Sequence, residues 1–429
     1  MEEFDLQFRV PDVVPDKLAR ATFFWPTSGP SSFRTSLGPR LGELGPVAPK
    51  NVDLVRLAAM VYAADRSVSR RVGKVNWVRR QIALTVPVSD PASWDGAKAE
   101  LEGMLDFLSG DDWVLKFRSA RPPNEATAAN PYPDAKRVVL MSGGADSAVG
   151  AFLARSQPEE HVLVSHIGAT TISPIQKGVA SQIEQLLPGG SRQHHRQITF
   201  TRTLRQPGGV KLRNDFTTRS RSLLFLALGL AVASINQVPL WIAENGFASL
   251  NPPLGADQLG SLSTRTTHPW FLAQLSAIAR SVGAVGDIEN PFGTQTKGEM
   301  FRWLADDLGD DEAASEFLSS TNSCANTNRR FAGATATTHC GVCFGCLMRK
   351  ASFMAAGLKD QSTYVADAPP TPEIAAALKK LSIRPSIEAF VTRGIGVGDI
   401  AAMRLPEGYR ASAAKALCDR GAAELELLI

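Results

Sequence analysis

No apolar run in this sequence approaches the ~20 residues that a bilayer-spanning helix needs. The longest, Leu223 to Ile235, contains Gly229 and Ser234 and reads as a buried core helix. An excess of one charge is also missing: 46 lysines and arginines against 42 acids leave a net charge of +4, too mild to demand a nucleic-acid partner. Cysteine is rare, five in 429 residues, and the opening Met-Glu-Glu-Phe-Asp is acidic and unlike a secretory leader. These absences argue against a disulfide-built secreted protein and against a membrane partner, and the expectation is a cytoplasmic protein. The length predicts two or three domains, and a hydrophobic content of 44% predicts well-filled cores.

What is present begins with Val138-Val139-Leu140-Met141-Ser142-Gly143-Gly144-Ala145-Asp146-Ser147. Four apolar residues predict a buried strand, a tight Gly-Gly turn follows, and Ala148 to Leu153 continues as a helix. The new helix points free N–H groups and its positive dipole end at the turn, which makes an anion site. Ser142 and Ser147 add hydroxyls. Asp146 would repel a bare phosphate, so its presence predicts a bridging Mg²⁺. The Lys-Ser or Lys-Thr pair of a Walker A loop is absent.

The second constellation is Cys340-Gly-Val-Cys343-Phe-Gly-Cys346, with Cys324 upstream. Four thiolates meet the tetrahedral demand of structural Zn²⁺. Redox chemistry needs a single Cys-x-x-Cys, whereas an iron–sulfur cluster also takes four cysteines and stays the rival. His339 could substitute for a ligand, but four cysteines already complete a site. Cys418 lies far away and reads as a small buried apolar residue. His194 and His195, adjacent on a predicted strand, point to opposite faces and cannot share a metal.

Residues 137–360 alternate strands (138–141, 161–167, 195–200, 239–243, 284–288) with helices (147–155, 174–187, 218–235, 268–282, 297–308). This predicts an α/β fold, a Rossmann-like parallel sheet covered on both faces, with ligands at the carboxyl ends of its strands. Residues 1–120 predict an α+β accessory unit: strands at Phe8–Val10, Ala21–Trp25, Trp77–Val88 and Trp113–Phe117, helices at Val52–Asp65 and Ala92–Leu108. Residues 121–136 form a proline-rich linker and 361–429 a helical C-terminal region without visible chemistry. Two stretches are basic. Arg66, Arg70, Arg71, Lys74, Arg79 and Arg80 are read mainly as a solvated face balanced by Asp65, Asp111 and Asp112. The run from Arg192 through Arg196, Arg202, Arg205, Lys211, Arg213 and Arg219 to Arg221 holds the single acid Asp215, and could form a lid over triphosphate with Pro207-Gly208-Gly209 as its hinge.

Ser-Gly-Gly-x-Asp-Ser after a strand resembles the signature of the PP-loop ATP pyrophosphatases. Together with the distant cysteines, the chain over roughly residues 136–360 resembles the 7-cyano-7-deazaguanine synthases, the QueC-like branch of those enzymes. The resemblance implies ATP, Mg²⁺ and Zn²⁺ as cofactors. ATP would rest on Ser142, Gly143, Gly144, Asp146, Ser147, Ser165 and His166, and substrate on Glu244, Asn245 and Gly246. Asp146, Ser147, Arg221 and Lys297 would act catalytically, with zinc on Cys324, Cys340, Cys343 and Cys346. It further implies adenylation of the carboxylate of 7-carboxy-7-deazaguanine, followed by attack of an amine. The extra flanking regions resemble the enlarged QueC-like proteins of bacterial anti-phage operons (the Qat and type IV CBASS systems), in which the amine is the N-terminus of a partner protein. The alternatives are a nitrile-forming synthase using ammonia, and a nucleic-acid-binding or tRNA-modifying PP-loop protein.

Overall fold

The computed structural model describes residues 1–429 except 71–77, 122, 216, 218, 255–264, 326–334 and 336. Among the described residues the strands are β1 (Glu2–Gln7), β2 (Thr22–Phe24), β3 (Phe33–Thr35), β4 (Gln81–Val88), β5 (Asp112–Ser119), β6 (Arg137–Leu140), β7 (His161–Ile167), β8 (Gln193–Arg202), β9 (Leu240–Trp241) and β10 (Ile288–Glu289). They form two sheets, ordered β2-β1-β4-β5 and β10-β9-β6-β7-β8-β3. The larger sheet is parallel from β10 to β8, as expected for strands joined through helices. The chain is thus an α/β protein with a parallel-sheet core and a helical C-terminal region.

Three features depart from expectation. The N-terminal sheet is parallel throughout, so that segment is itself α/β in character, because helices make its crossovers. The first strand is Glu2–Gln7 rather than the apolar Phe8–Val10; Phe4 and Leu6 face the core while Glu3, Asp5 and Gln7 alternate outward, a period of two that acidic residues disguise. The three-residue β3 was not expected at all. It pairs antiparallel with β8 and closes the edge of the larger sheet with a strand from the N-terminal segment.

The helix Pro49–Ser67 is buried almost all round, between β4 and the helix Arg221–Asn236. One core runs through both sheets, from Leu54, Leu57 and Val61 to Leu224, Leu228 and Ile198. The helix predicted over 218–235 forms over Arg221–Asn236 and is indeed a core element. Among the described residues, no helix is long and apolar enough to cross a membrane.

Candidate active site

At the end of β6 the chain turns through Met141–Gly144 into the helix Ala145–Ser156. Gly143 has φ +89°, a left-handed conformation that a side chain would strain; Gly144, at φ −83°, does not need it. The two serines brace the turn rather than project freely. Their hydroxyls lie 3.0 Å apart, Ser147 Oγ donates to Gly144 O at 2.9 Å, and Gly144 N donates to Ser142 Oγ at 3.2 Å.

Beside this turn, residues distant in sequence converge. Lys297 Nζ lies 2.7 Å from Asp146 Oδ1. Asn245 Nδ2 donates to Asp146 Oδ2 at 2.9 Å and lies 3.3 Å from Glu244 Oε1. Burial opposes the charge on Asp146, but Lys297 and hydrogen bonds from Glu244 and Asn245 prevail and hold its pKa at about 2. Burial and the Asp146 charge together push Glu244 well above the usual carboxylate range. The two acids thus have opposite protonation tendencies at one spot, an arrangement common where charge is handled chemically. Asn290, beyond β10, fixes the Glu244 backbone from both sides: Nδ2 donates to Glu244 O at 2.8 Å and Oδ1 accepts from Glu244 N at 3.3 Å. The sequence carried no signal for that role except an Asn directly before a proline.

Asp146, Glu244, Asn245 and Lys297 line a cavity of about 420 Å³, walled also by Arg221, Phe225, Ser323, Phe344 and Met348. Ser165 and His166 line a smaller adjoining cavity of about 40 Å³ with Val164, Ile198 and Leu228, sharing Leu140, Ser142 and Phe225 with the larger one. The Ser165 hydroxyl donates to Met141 O at 2.6 Å and contacts His195 Nε2 at 2.9 Å, so it supports the loop. His166 Nε2 donates to Phe200 O at 2.7 Å and its ring lies 4.6 Å from that of Phe225. Burial lowers the His166 pKa to about 4, which keeps it neutral. His194 turns the other way, 3.4 Å from Glu160. Gly246 lies outside the cavity lining: its amide donates to Gln295 O at 2.7 Å, and it packs against Gly293 and Leu417. It is the first residue of the helix Gly246–Leu250, whose Ala248 lines the cavity with Asn245.

Of the basic run 192–221, only Arg221 lines the larger cavity among the described residues. Arg202 is buried and donates to Arg213 O at 2.9 Å, and the turn at 206–210 is closed by hydrogen bonds and packed on Val14. Arg202 and the 206–210 turn are therefore built into the fold rather than hung over the site. Arg221 opens its helix from a turn held by the N-terminal segment. Asp65 Oδ2 accepts from Ser220 Oγ at 2.6 Å and Thr217 Oγ1 at 3.3 Å, and Arg219 donates to Ser109 O at 2.9 Å. Asp65 and Asp111 in turn sit between Arg70 and Arg80. Arg70 lies 2.5 Å and Arg80 2.6 Å from Asp111, and both also pair with Asp65. Two of the four described residues of the expected solvated basic face, Arg70 and Arg80, thus belong to a buried charge quartet. Burial disfavours the Asp65 charge, but Arg80, Arg70 and Ser220 outweigh it and lower its pKa. Arg79 does lie exposed, against Asp106 and Asp112; Arg71 and Lys74 fall outside the described residues.

The four cysteines Cys324, Cys340, Cys343 and Cys346 are buried with all sulfurs within 4.8 Å of one another. Cys343 and Cys346 sulfurs lie 3.5 Å apart, Cys340 and Cys346 sulfurs 3.8 Å. Four sulfurs at ~2.3 Å from one zinc stand roughly 3.8 Å apart, so the cluster fits a single tetrahedral ion. A cubane iron–sulfur cluster places an iron inside every thiolate and holds its cysteines farther apart. His339 is not part of the cluster; its ring lies 5.4 Å from that of Tyr364, tilted by 57°. The cluster bears on the cavity. Ser323 and Phe344, each next to a cysteine, line it, and Asn322 N donates to Gly143 O at 2.9 Å. Cys418 is buried in the C-terminal helix.

No family model matches the chain. It is similar to the 7-cyano-7-deazaguanine synthase of Novosphingobium aromaticivorans, 30% identical over 256 residues that make up 55% of this chain and 97% of that protein. It is also similar to the 7-cyano-7-deazaguanine synthase of Cupriavidus necator, 29% identical over 256 residues, 54% of this chain and 99% of that protein.

Proposed function

The chain belongs to the 7-cyano-7-deazaguanine synthase family, and from that premise we propose that it is an AMP-forming C–N ligase. It adenylates the carboxylate of 7-carboxy-7-deazaguanine and couples it to an amine, the N-terminus of a partner protein in anti-phage defence. The observation that carries the ligase reading is the convergence of Asp146, Lys297, Glu244 and Asn245 on the phosphate-type turn in one cavity. Its volume of about 420 Å³ is in the range of small-ligand sites.

In this reading the ATP phosphates lie on residues 142–147, against the amides that open the helix. The adenine lies in the larger cavity towards Phe225, where the smaller apolar cavity at His166 adjoins it. Asp146 and the neighbouring acid offer the oxygen ligands that Mg²⁺ prefers. When bound, that ion supplies neutralisation of the charge on departing pyrophosphate. Lys297 and Arg221 provide the fixed cations that stabilise the same charge. A substrate carboxylate oxygen attacks the α-phosphorus and the bond to pyrophosphate breaks. The amine nitrogen then attacks the acyl carbon, AMP leaves with the electron pair, and the amine loses a proton. Orientation and charge suffice, with no covalent nucleophile on the protein. Cys324, Cys340, Cys343 and Cys346 would hold zinc, which would be structural and would steady the wall at Ser323 and Phe344.

The protein acceptor is supported by what the relatives lack. Nearly half of the chain lies outside the matched length, and the N-terminal segment reaches the Arg221 turn. The second reading, nitrile formation from ammonia, is favoured by the relatives' own names. Burial of Arg70 and Arg80 removes much of the support for nucleic-acid binding.

One experiment separates these readings. Protein, Mg-ATP and 7-carboxy-7-deazaguanine are mixed with ammonia or with candidate acceptor proteins. AMP release with a mass gain on an acceptor is the expected result. Free nitrile from ammonia alone overturns the protein-ligase reading, and RNA binding that weakens steeply with salt, without ATP turnover, overturns both.

A further inference from the structure

The C-terminal helix Ala411–Glu426 carries a buried carboxylate at its far end. Glu424 is 8% exposed and reaches the helix Lys297–Leu308. Gly298 N donates to both of its oxygens, at 3.0 and 3.1 Å, and the Thr296 hydroxyl donates to Oε1. Thr296 is the N-cap of that helix and exchanges capping bonds with Glu299: Glu299 N to Thr296 Oγ1 at 3.2 Å, Thr296 N to Glu299 Oε2 at 2.8 Å. Lys297 thus sits between two residues that a single carboxylate holds. A side chain at position 298 would place its Cβ 2.4 Å from Glu424 Oε1, so glycine is what admits the carboxylate to the backbone.

The same helix touches the opposite wall. Arg420 donates to Glu299 Oε1 at 2.6 Å and to Thr294 O at 2.8 Å. Leu417 packs on Gly246 and Gly421 on Phe247, directly after Asn245. One element therefore braces both the Lys297 turn and the Glu244–Asn245 turn.

We infer that Glu424 is a positioning residue for Lys297: its carboxylate fixes the first turn of the helix so that Nζ meets Asp146, and the C-terminal helix completes the site. A carboxylate at a helix N-terminus satisfies amides that would otherwise lack partners and favours the dipole. Without it the backbone amide of Gly298 loses its acceptor, and the turn keeps its internal capping box and the Arg420 contacts to Glu299 and Thr294. Displacement of a catalytic group by about 1 Å can cost roughly a hundredfold in rate. The inference rests on the reading of the cavity as an ATP site.

The test is a double-mutant cycle in the full chain with Glu424→Ala, Glu424→Gln, Lys297→Ala and the Glu424→Ala/Lys297→Ala pair. kcat and KM are read from AMP release, and Mg-ATP affinity from calorimetry. Glu424→Ala should lower kcat about tenfold or more with KM for the deazaguanine nearly unchanged. Glu424→Gln keeps an acceptor for Gly298 N and should stay within about threefold of wild type. Added to Lys297→Ala, Glu424→Ala should cost less than about a further twofold. Wild-type kcat in Glu424→Ala, or its full loss repeated on the Lys297→Ala background, overturns the inference. If wild type releases no AMP, the ligase reading falls, and the same cycle is decided on ATP affinity, where additivity overturns it. If Glu424→Ala does not fold, Glu424→Asp, which withdraws the carboxylate by one methylene, takes its place with the same outcomes.

Discussion

Lys297 Nζ and Asp146 Oδ1 meet at 2.7 Å, although one opens a helix after β10 and the other opens the helix after β6. Parallel strands deliver their following helices to the same edge of the sheet, so each helix start faces the cleft there. The pair is almost fully buried, with side chains 9% and 7% exposed. Neither partner can be removed without leaving the other's charge uncompensated.

Asp146→Asn should therefore abolish AMP release, by at least about a hundredfold, while the fold survives. Circular dichroism and thermal melting check the fold, and AMP is quantified under saturating ATP. Turnover near wild type would show that the turn at 142–147 does not handle the phosphates.

Asp65→Asn tests the grip of the N-terminal segment on the Arg221 turn. It leaves Arg70 and Arg80 one charge short in a buried setting, a change expected to cost about 3–5 kcal/mol. ATP affinity should fall as well, because Ser220 loses a charged acceptor just before Arg221. Ser220→Ala removes only that contact, so it should weaken ATP binding with a smaller loss of stability. Denaturant melts and calorimetric ATP titrations separate the two effects.

Metal analysis of protein purified without chelator should find about one zinc per chain. Cys343→Ser should lower zinc content and melting temperature together, and also activity, since Phe344 and Ser323 form part of the cavity wall. Iron in place of zinc, or full activity of zinc-free protein, would contradict the structural-zinc reading.

Acid should destabilise the fold through buried histidine. His268 Nδ1 accepts from Trp270 N at 3.2 Å at the start of the helix Pro269–Ser281, and burial with the nearby Arg265 lowers its pKa from 6.5 to about 4. Because the folded value lies below the unfolded one, the contribution is intact above about pH 6.5 and is lost as pH falls towards 4. His268→Asn keeps an N-cap acceptor that does not titrate. Melting temperatures from pH 7.5 to 4.5 should fall less steeply in the variant than in wild type; parallel slopes would refute the assignment.

Much of this was written in local sequence. Residues 138–147 specify a strand, a turn and a helix within one short window, and the turn's demand for φ above zero is visible as Gly143. The Cys-x-x-Cys spacing is likewise local chemistry, and the alternation of strands with helices is enough for a parallel α/β core. The structure alone decided the contacts between residues with no sequence relation. Asp111, some forty residues beyond Arg70, joined the nearby Asp65 and turned Arg70 and Arg80 from a surface face into a buried quartet. A three-residue strand, too short to form by itself, became an edge of the larger sheet because β8 was there to pair with it. Glu424, in a region with no chemical signature, came to rest on the turn of Lys297. Propensity and spacing act over a few residues, whereas burial, pairing and pKa depend on which distant groups the packed core brings together.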